Sequence, residues 1–134
     1  MHTHSLVAVV SLLALLVYVW MVLRVGGARR ASGIAPPAMI GDPVLERHIR
    51  VQANTLEWLP IFLVSLWLFA FYWNDRVAAA LGAVWIVGRI LFALGYVAEP
   101  KKREMGFMIQ ALAAGVLLFG ALGRAIYVAV TVGI

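Results

Sequence analysis

The sequence contains no cysteine, which limits its chemistry from the outset. It can form no disulfide and no cysteine-based metal site, and it offers no thiolate nucleophile of its own. Charge is also scarce, since only 13% of the residues are Asp, Glu, Lys or Arg. Any thiol chemistry that this chain performs must therefore use the thiol of a ligand.

Charged residues are almost missing from four long apolar stretches, which cover residues 6–23, 56–73, 77–98 and 105–134. Each stretch is long enough to cross the roughly 30 Å hydrocarbon core of a bilayer, and 64% of the chain is hydrophobic. The sequence therefore predicts an all-α fold, an integral membrane four-helix bundle that forms a single domain over residues 1–134. We expect its helices at about 5–25, 44–73, 77–98 and 104–132.

The N-terminus, MHTHS, has neither Lys nor Arg, and no small-residue cleavage site with a credible mature start follows it. A removable secretory signal has both features, so we expect the first apolar stretch to be a retained helix. His2 and His4 can suggest a metal site, but a frayed terminus is the simpler interpretation. We therefore expect no bound metal.

Glycine and proline indicate where the helices begin and end. The Gly26–Gly27 pair predicts the end of the first helix, and the stretch from there to Gly41 is predicted to be an irregular first loop. Pro43 is typical of a helix entry, with Asp42 as its N-cap. Pro60 falls inside the second helix, where it removes a backbone hydrogen bond.

The net charge of +5 comes mainly from two loops. Five arginines lie around the first loop and three cations in the third: Arg24, Arg29, Arg30, Arg47 and Arg50, then Lys101, Lys102 and Arg103. Because cytoplasmic loops carry the excess of Lys and Arg, both loops are predicted to be cytoplasmic and both termini to lie on the opposite side. A bacterial inner membrane is the favoured location. Cations placed beside membrane helices, with no soluble domain to present them, argue against nucleic-acid binding.

The second helix begins with an unusually polar face. At about 100° per residue, Glu46, Arg50, Asn54 and Glu57 fall within roughly 80° of one another. Ionisable groups at membrane depth are costly unless they are paired or bind a ligand. The face is therefore either a structural ion pair of Glu57 with Arg50 or part of a binding site.

A second set of polar residues lies at the end of the third helix. Arg89, Phe92 and Tyr96 share a helix face, and Arg103 follows just past the helix end. With the polar face of helix two, they are predicted to form a cationic pocket near the cytoplasmic interface, open sideways to lipid. Such a pocket suits a ligand with carboxylates and an amine, and an arginine beside a thiol lowers the thiol pKa. Arg89 can equally have a structural role, neutralising Glu57 or extending towards the interface.

The segment LERHIRVQANTLEWLP (Leu45–Pro60) resembles the second-helix signature of the membrane-associated proteins in eicosanoid and glutathione metabolism, the MAPEG superfamily. In that signature the pattern E-R-x-x-R-x-Q-x-N-x-x-E-x-x-P recurs. The resemblance extends to further positions: Ala28–Ala31, Pro36–Pro37, Arg89, Gly95–Tyr96 and Arg103.

This resemblance implies a homotrimer that binds glutathione, as a co-substrate, between neighbouring subunits. Carried over by position, the ligands from one subunit would be Arg50, Asn54, Glu57 and Tyr96, with Arg29 and Gln52 from the adjacent subunit, and Trp58 and Arg89 complete the candidate set. Arg103 would stabilise the thiolate, and Arg30 would assist at the electrophile. Trp58 and Phe92 stand where members of the family have tyrosine, so two hydrogen bonds to glutathione are in question.

The implied function is a membrane-bound glutathione transferase or peroxidase acting on lipophilic electrophiles or hydroperoxides that enter from the bilayer. One alternative is a non-catalytic lipid-binding or scaffold member of the same superfamily. Another is a small multidrug transporter, which needs an embedded carboxylate. Glu57 is the only embedded acid in the sequence, and it lies among arginines.

Overall fold

The computed structural model describes residues 3–133, which form four long helices and one short 3-10 turn. In chain order these are α1 (Ser5–Ser32), α2 (Pro43–Tyr72), α3 (Asp75–Ala98), the turn at Pro100–Lys102, and α4 (Arg103–Val132). All four helices are long and apolar enough to cross a membrane. The predicted all-α class with four membrane spans is confirmed at this level.

The first helix, α1, continues past the Gly26–Gly27 pair, where the sequence predicted its end, and reaches Ser32. A glycine inside a helix costs about 1 kcal/mol relative to alanine, which does not stop a helix whose next four residues are good helix formers. The stop comes at Gly33, whose left-handed backbone (φ 72°) directs its N–H to the Arg29 carbonyl oxygen at 2.9 Å. Arg29 and Arg30 therefore lie in the last turn of α1 and not in the first loop.

The second helix begins as the sequence predicted. Asp42 Oδ2 accepts a hydrogen bond of 2.9 Å from a first-turn N–H, and Pro43 occupies the first helical position. Pro60 lies in the helix interior. Only Trp73 and Asn74 join α2 to α3, and the Asn74 side chain accepts from two N–H groups at the start of α3. The two helices therefore form an antiparallel hairpin.

The bundle has two distinct ends. At one of them, which we call the loop end, lie the first loop (residues 33–42) and the Pro100–Lys102 turn, and Arg47 Nη1 donates to the Val97 carbonyl oxygen at 3.1 Å. At the opposite end, Trp73 Nε1 donates to the Gly120 carbonyl oxygen at 2.8 Å. Both bonds tie neighbouring helices together where the chain turns.

Glycines allow α3 and α4 to approach closely. A Cβ built on Gly106 would overlap the backbone nitrogen of Phe92 and lie 2.7 Å from the Gly88 carbonyl oxygen. One built on Gly88 would lie 2.7 Å from the backbone nitrogen of Gln110. The two backbones are therefore in direct contact, as small residues permit in membrane helices. This crossing fixes Arg103, at the start of α4, relative to the end of α3.

Aromatic stacking fills the middle of the bundle, and apolar side chains cover its outside. Phe62 of α2 and Trp85 of α3 stack with their ring centroids 3.9 Å apart, and both are fully buried. Outward-facing residues such as Leu12, Leu23 and Leu112 are more than 60% exposed, at 61%, 67% and 63%. Such a surface is unfavourable in water but is expected where helices face lipid or another subunit.

Candidate functional site

A cavity of about 380 Å³ lies at the loop end among α2, α3 and α4. Its volume falls within the range that is usual for small-ligand sites. Its lining consists of Arg50, Asn54, Phe92, Tyr96, Arg103, Glu104 and Phe107. Four of the predicted site residues therefore meet in one cavity of a single chain: Arg50, Asn54, Tyr96 and Arg103.

The cavity combines positive charge with aromatic surface. Arg50 and Arg103 supply two guanidinium groups, each of which can hold a carboxylate by two parallel hydrogen bonds. Phe92 and Phe107 supply apolar wall, and Glu104 contributes a carboxylate. The arrangement suits an anionic ligand of peptide size that also carries an apolar or amine group.

Two contacts hold Arg103 at the cavity. Its Nη1 donates to the Pro100 carbonyl oxygen at 2.8 Å, and its guanidinium lies over the Tyr96 ring, 5.7 Å from the centroid. The hydrogen bond uses one of the five N–H groups of the guanidinium. The other N–H groups are left for a ligand, so Arg103 is both positioned and able to act.

Asn54 lies on the cavity wall, whereas Arg89 lies behind that wall. Arg89 is fully buried, and its Nη1 donates to Asn54 Oδ1 at 2.7 Å. Among residues 3–133, no ion pair within 4 Å joins the Arg89 and Glu57 side chains. Of the two roles expected for Arg89, neutralisation of Glu57 by direct pairing is therefore not observed.

Arg29 and Gln52 point away from the cavity. Arg29 Nη1 donates to the carbonyl oxygens of Ile34 at 3.3 Å and Ala38 at 2.7 Å, which ties the first loop to the end of α1. Gln52 Nε2 donates to the Tyr18 hydroxyl at 3.2 Å. Both residues therefore lie on the side of the chain formed by α1 and α2.

Three further candidates lie outside the cavity lining. Glu57 and Arg30 are exposed on the surface of the chain, and Trp58 is half-buried with its ring edge-on to Phe107, at 5.8 Å between centroids. Glu57 belongs to a membrane-spanning helix, where an exposed carboxylate facing lipid is costly. Its position therefore calls for a ligand or a second chain to cover it.

Glu104 and Phe107 line the cavity although the sequence did not single them out. They follow Arg103 by one and four residues, so all three lie in the first turns of α4. Helical spacing from Arg103 is the signal that could have found them. It requires α4 to begin at Arg103, whereas the sequence predicted a start at 104.

His4 plays no part in this site, and His2 lies outside the described residues. His4 Nδ1 lies 2.8 Å from Asp75 Oδ1, and its ring is edge-on to Phe71 at 4.8 Å between centroids. His4 therefore links α1 to α3 at the end opposite the cavity, which corrects the expectation of a frayed terminus at this position.

The chain is similar to several known proteins. The model of the MAPEG family matches residues 7–123. Microsomal glutathione S-transferase 2 of Homo sapiens is 41% identical over 121 residues, covering 90% of this chain and 82% of the relative. An uncharacterized protein of Synechocystis is 48% identical over 115 residues, or 86% and 84% of the two chains. Leukotriene C4 synthase of Cavia porcellus is 35% identical over 114 residues, or 85% and 76%.

Proposed function

The chain belongs to the MAPEG family, and from this premise we propose that it is a membrane-bound glutathione transferase for lipophilic electrophiles. The observation that carries the proposal is the cavity at the loop end, where two arginines, an asparagine and a tyrosine from three helices line one space. Relatives named microsomal glutathione S-transferase 2 and leukotriene C4 synthase support glutathione as the co-substrate.

The chemistry of glutathione matches the groups present. Glutathione has two carboxylates, an amine, two peptide bonds and a thiol. Arg50 would bind a carboxylate, Asn54 would donate to a carboxylate or carbonyl oxygen, and the Tyr96 hydroxyl would bond a peptide group. Glu57, one helical turn beyond Asn54, would take the amine from the edge of the cavity.

Arg103 would convert the thiol into the reactive nucleophile. A thiol has a reference pKa of about 8.5, and a guanidinium beside it favours the thiolate. Each unit by which the pKa falls corresponds to about 1.4 kcal/mol. The thiolate sulfur then forms a bond to an electrophilic carbon, and the electron pair of the broken bond departs with the leaving group. With a hydroperoxide, the same thiolate would attack the terminal peroxide oxygen, and the O–O bond would break with departure of an alkoxide that takes up a proton from water. A second glutathione would then reduce the resulting sulfenic acid, giving glutathione disulfide and water.

The site is proposed to be completed by neighbouring copies in a homotrimer. Arg29 and Gln52 lie on the α1 and α2 side of the chain, away from its own cavity. Placed against a neighbour, this side would contribute both residues to the neighbour's glutathione, and Arg30 would assist at the electrophile. The same contact would cover Glu57, which is exposed on the isolated chain.

We propose that the loop end faces the cytoplasm of a bacterium, with the protein in the inner membrane and both termini on the opposite side. The cations near the loop end, at the end of α1, at the start of α2 and in the Pro100–Lys102 turn, support this orientation. Glutathione would then reach the cavity from the cytoplasm, and the electrophile would reach it from the bilayer.

The non-catalytic alternative is disfavoured by Arg103. A scaffold needs no cationic group beside a thiol, yet Arg103 is held at the cavity by a hydrogen bond and a ring contact. The transporter alternative is disfavoured by family membership.

Arg103→Ala tests the proposal, with Lys102→Ala as its matched control. Lys102 is the adjacent cation, lies outside the cavity lining and faces Glu99 at 3.9 Å. Removing one preorganised donor from an active site lowers the rate by roughly 100-fold or more. We therefore expect Arg103→Ala to lose conjugation of 1-chloro-2,4-dinitrobenzene and the ultraviolet absorbance of bound thiolate, while Lys102→Ala keeps both. An Arg103→Ala enzyme with the wild-type rate would refute the role of Arg103.

A further inference from the structure

Arg89 carries a charge in the interior of the bundle, behind the cavity. Its side chain is 0% exposed, and it is not among the residues that line the cavity. A buried guanidinium in a membrane protein is costly unless its surroundings compensate for the lost water. The contacts of Arg89 therefore indicate what its charge does.

Two hydrogen bonds connect Arg89 to α2. Its Nη1 donates to Asn54 Oδ1 at 2.7 Å and to Thr55 Oγ1 at 3.3 Å. The Thr55 hydroxyl donates its own hydrogen to the Val51 carbonyl oxygen at 2.9 Å, so the Thr55 oxygen acts as an acceptor towards Arg89. Three aromatic rings surround the guanidinium with centroids 5.0–5.9 Å away: Trp58, Trp85 and Phe92. The rings stabilise the charge by cation–π attraction, and the shorter of the two hydrogen bonds goes to Asn54.

The bond from Arg89 fixes which end of the Asn54 amide faces the ligand. A guanidinium has donors only, so the amide must present its oxygen to Arg89. The NH₂ group is then the half that remains for the cavity, which Asn54 lines. Without Arg89, the amide is free to turn over and to present either group to the cavity.

We propose that Arg89 is a positioning residue that holds the Asn54 NH₂ group towards the cavity. The site then selects a ligand group that accepts hydrogen bonds, namely a carboxylate or a peptide carbonyl oxygen. This inference rests on the proposed function, in which the ligand is glutathione. Arg89 would then act through Asn54, and not through the direct contact with glutathione that the family resemblance implies for it.

A double-mutant cycle on the purified protein tests the inference, with glutathione binding measured by calorimetry. Arg89→Met and Asn54→Ala should each weaken binding by about 10-fold, the cost of one hydrogen bond to a charged group. The double variant should bind no more weakly than Asn54→Ala alone, because Arg89 acts through Asn54. Arg124→Met is the control, since Arg124 also lies over two rings, those of Trp73 and Tyr127 at 5.2 Å each, and should leave binding unchanged.

Two further measurements separate positioning from a general structural role. Arg89→Met at saturating glutathione should keep the thiolate absorbance that Arg103→Ala loses. Asn54→Asp leaves an acceptor oxygen for Arg89 but removes the NH₂ donor, so it should melt no lower than wild type while binding at least about 10-fold more weakly.

The outcomes distinguish this inference from the proposed function. The positioning role alone would be overturned if the double variant bound glutathione more weakly than Asn54→Ala, by the product of the two single effects. Unchanged binding in Arg89→Met or in Asn54→Asp would also overturn it. Failure of the wild-type protein to bind glutathione would overturn the proposed function and this inference with it.

Discussion

Gly106→Ala should destabilise the bundle, although alanine has a higher helix propensity than glycine. The added Cβ would lie 2.7 Å from the Gly88 carbonyl oxygen and would overlap the Phe92 backbone nitrogen, so neither neighbour can give way by changing a rotamer. Restoring ordinary contact requires α3 and α4 to separate by about 1 Å. Overpacking of this kind costs about 1–3 kcal/mol, and the backbone neighbours place this site at the upper end. The gain in helix propensity from glycine to alanine returns about 1 kcal/mol, which leaves a net loss of about 2 kcal/mol.

Gly115→Ala on the same helix is the control. Among the described residues, nothing lies within 4 Å of a Cβ at Gly115, so only the propensity gain of about 1 kcal/mol remains. Thermal unfolding in detergent, followed by circular dichroism, should therefore rank Gly115→Ala above wild type and Gly106→Ala below it. Gly106→Ala should also lose glutathione-dependent turnover, because a shift of about 1 Å in a catalytic group can cost about 100-fold. A Gly106→Ala protein that melts with wild type and turns over normally would refute the close crossing as the element that positions Arg103.

Two substitutions at the cavity should strengthen glutathione binding. Glu104→Gln removes a carboxylate from a cavity that is to receive an anionic tripeptide. We expect the KM for glutathione to fall by about 2–5-fold, since a charge pair near a protein surface is worth on the order of 1 kcal/mol or more. A higher KM would show that Glu104 binds the amine instead, and an unchanged KM would show that its charge does not act on glutathione. Phe92→Tyr restores a hydroxyl at a residue that lines the cavity, and one new hydrogen bond should lower the same KM by about 2–10-fold. An unaltered KM in Phe92→Tyr would mean that the hydroxyl does not reach the ligand, and Trp58→Tyr then tests the second departure from the family pattern by the same assay.

The boundaries of the helices show what the sequence can and cannot predict. The entry of α2 was predictable because Asp42 and Pro43 act locally, through a side-chain cap and a fixed φ. The end of α1 was not, because the Gly26–Gly27 pair weakens a helix without stopping it. The stop depends on Gly33, whose role is recognisable only once the residues before it are known to be helical.

The candidate site, too, could be predicted from the sequence only in part. Helical spacing was enough to place Arg50 and Asn54 on one face, and the chain turn was enough to bring Tyr96 and Arg103 to the same end. Spacing could not show that Arg89 lies behind the wall, because a helix face as broad as this one includes both the cavity lining and the buried layer beneath it. That distinction depends on tertiary contacts, namely the hydrogen bonds from Arg89 to Asn54 and Thr55 and the aromatic rings around its guanidinium.

Three charged residues lie within the apolar stretches, Glu57, Arg89 and Arg124. Their surroundings differ, and the difference distinguishes a charge that anchors the helix from one that serves a function. Arg124 lies at the opposite end over Trp73 and Tyr127, where aromatic rings and an interfacial position satisfy it without any ligand. Arg89 is fully buried, and its shortest hydrogen bond is to a residue of the cavity wall. Glu57 is exposed on a spanning helix and forms no ion pair with Arg89. A membrane protein tolerates an arrangement like that of Arg124 for stability alone. The uncovered carboxylate of Glu57, beside a cavity wall to which the buried Arg89 is bonded, is costly until a ligand or a neighbouring chain covers it. The charge that the isolated chain leaves uncovered in a spanning helix therefore lies at the loop end, beside the cavity.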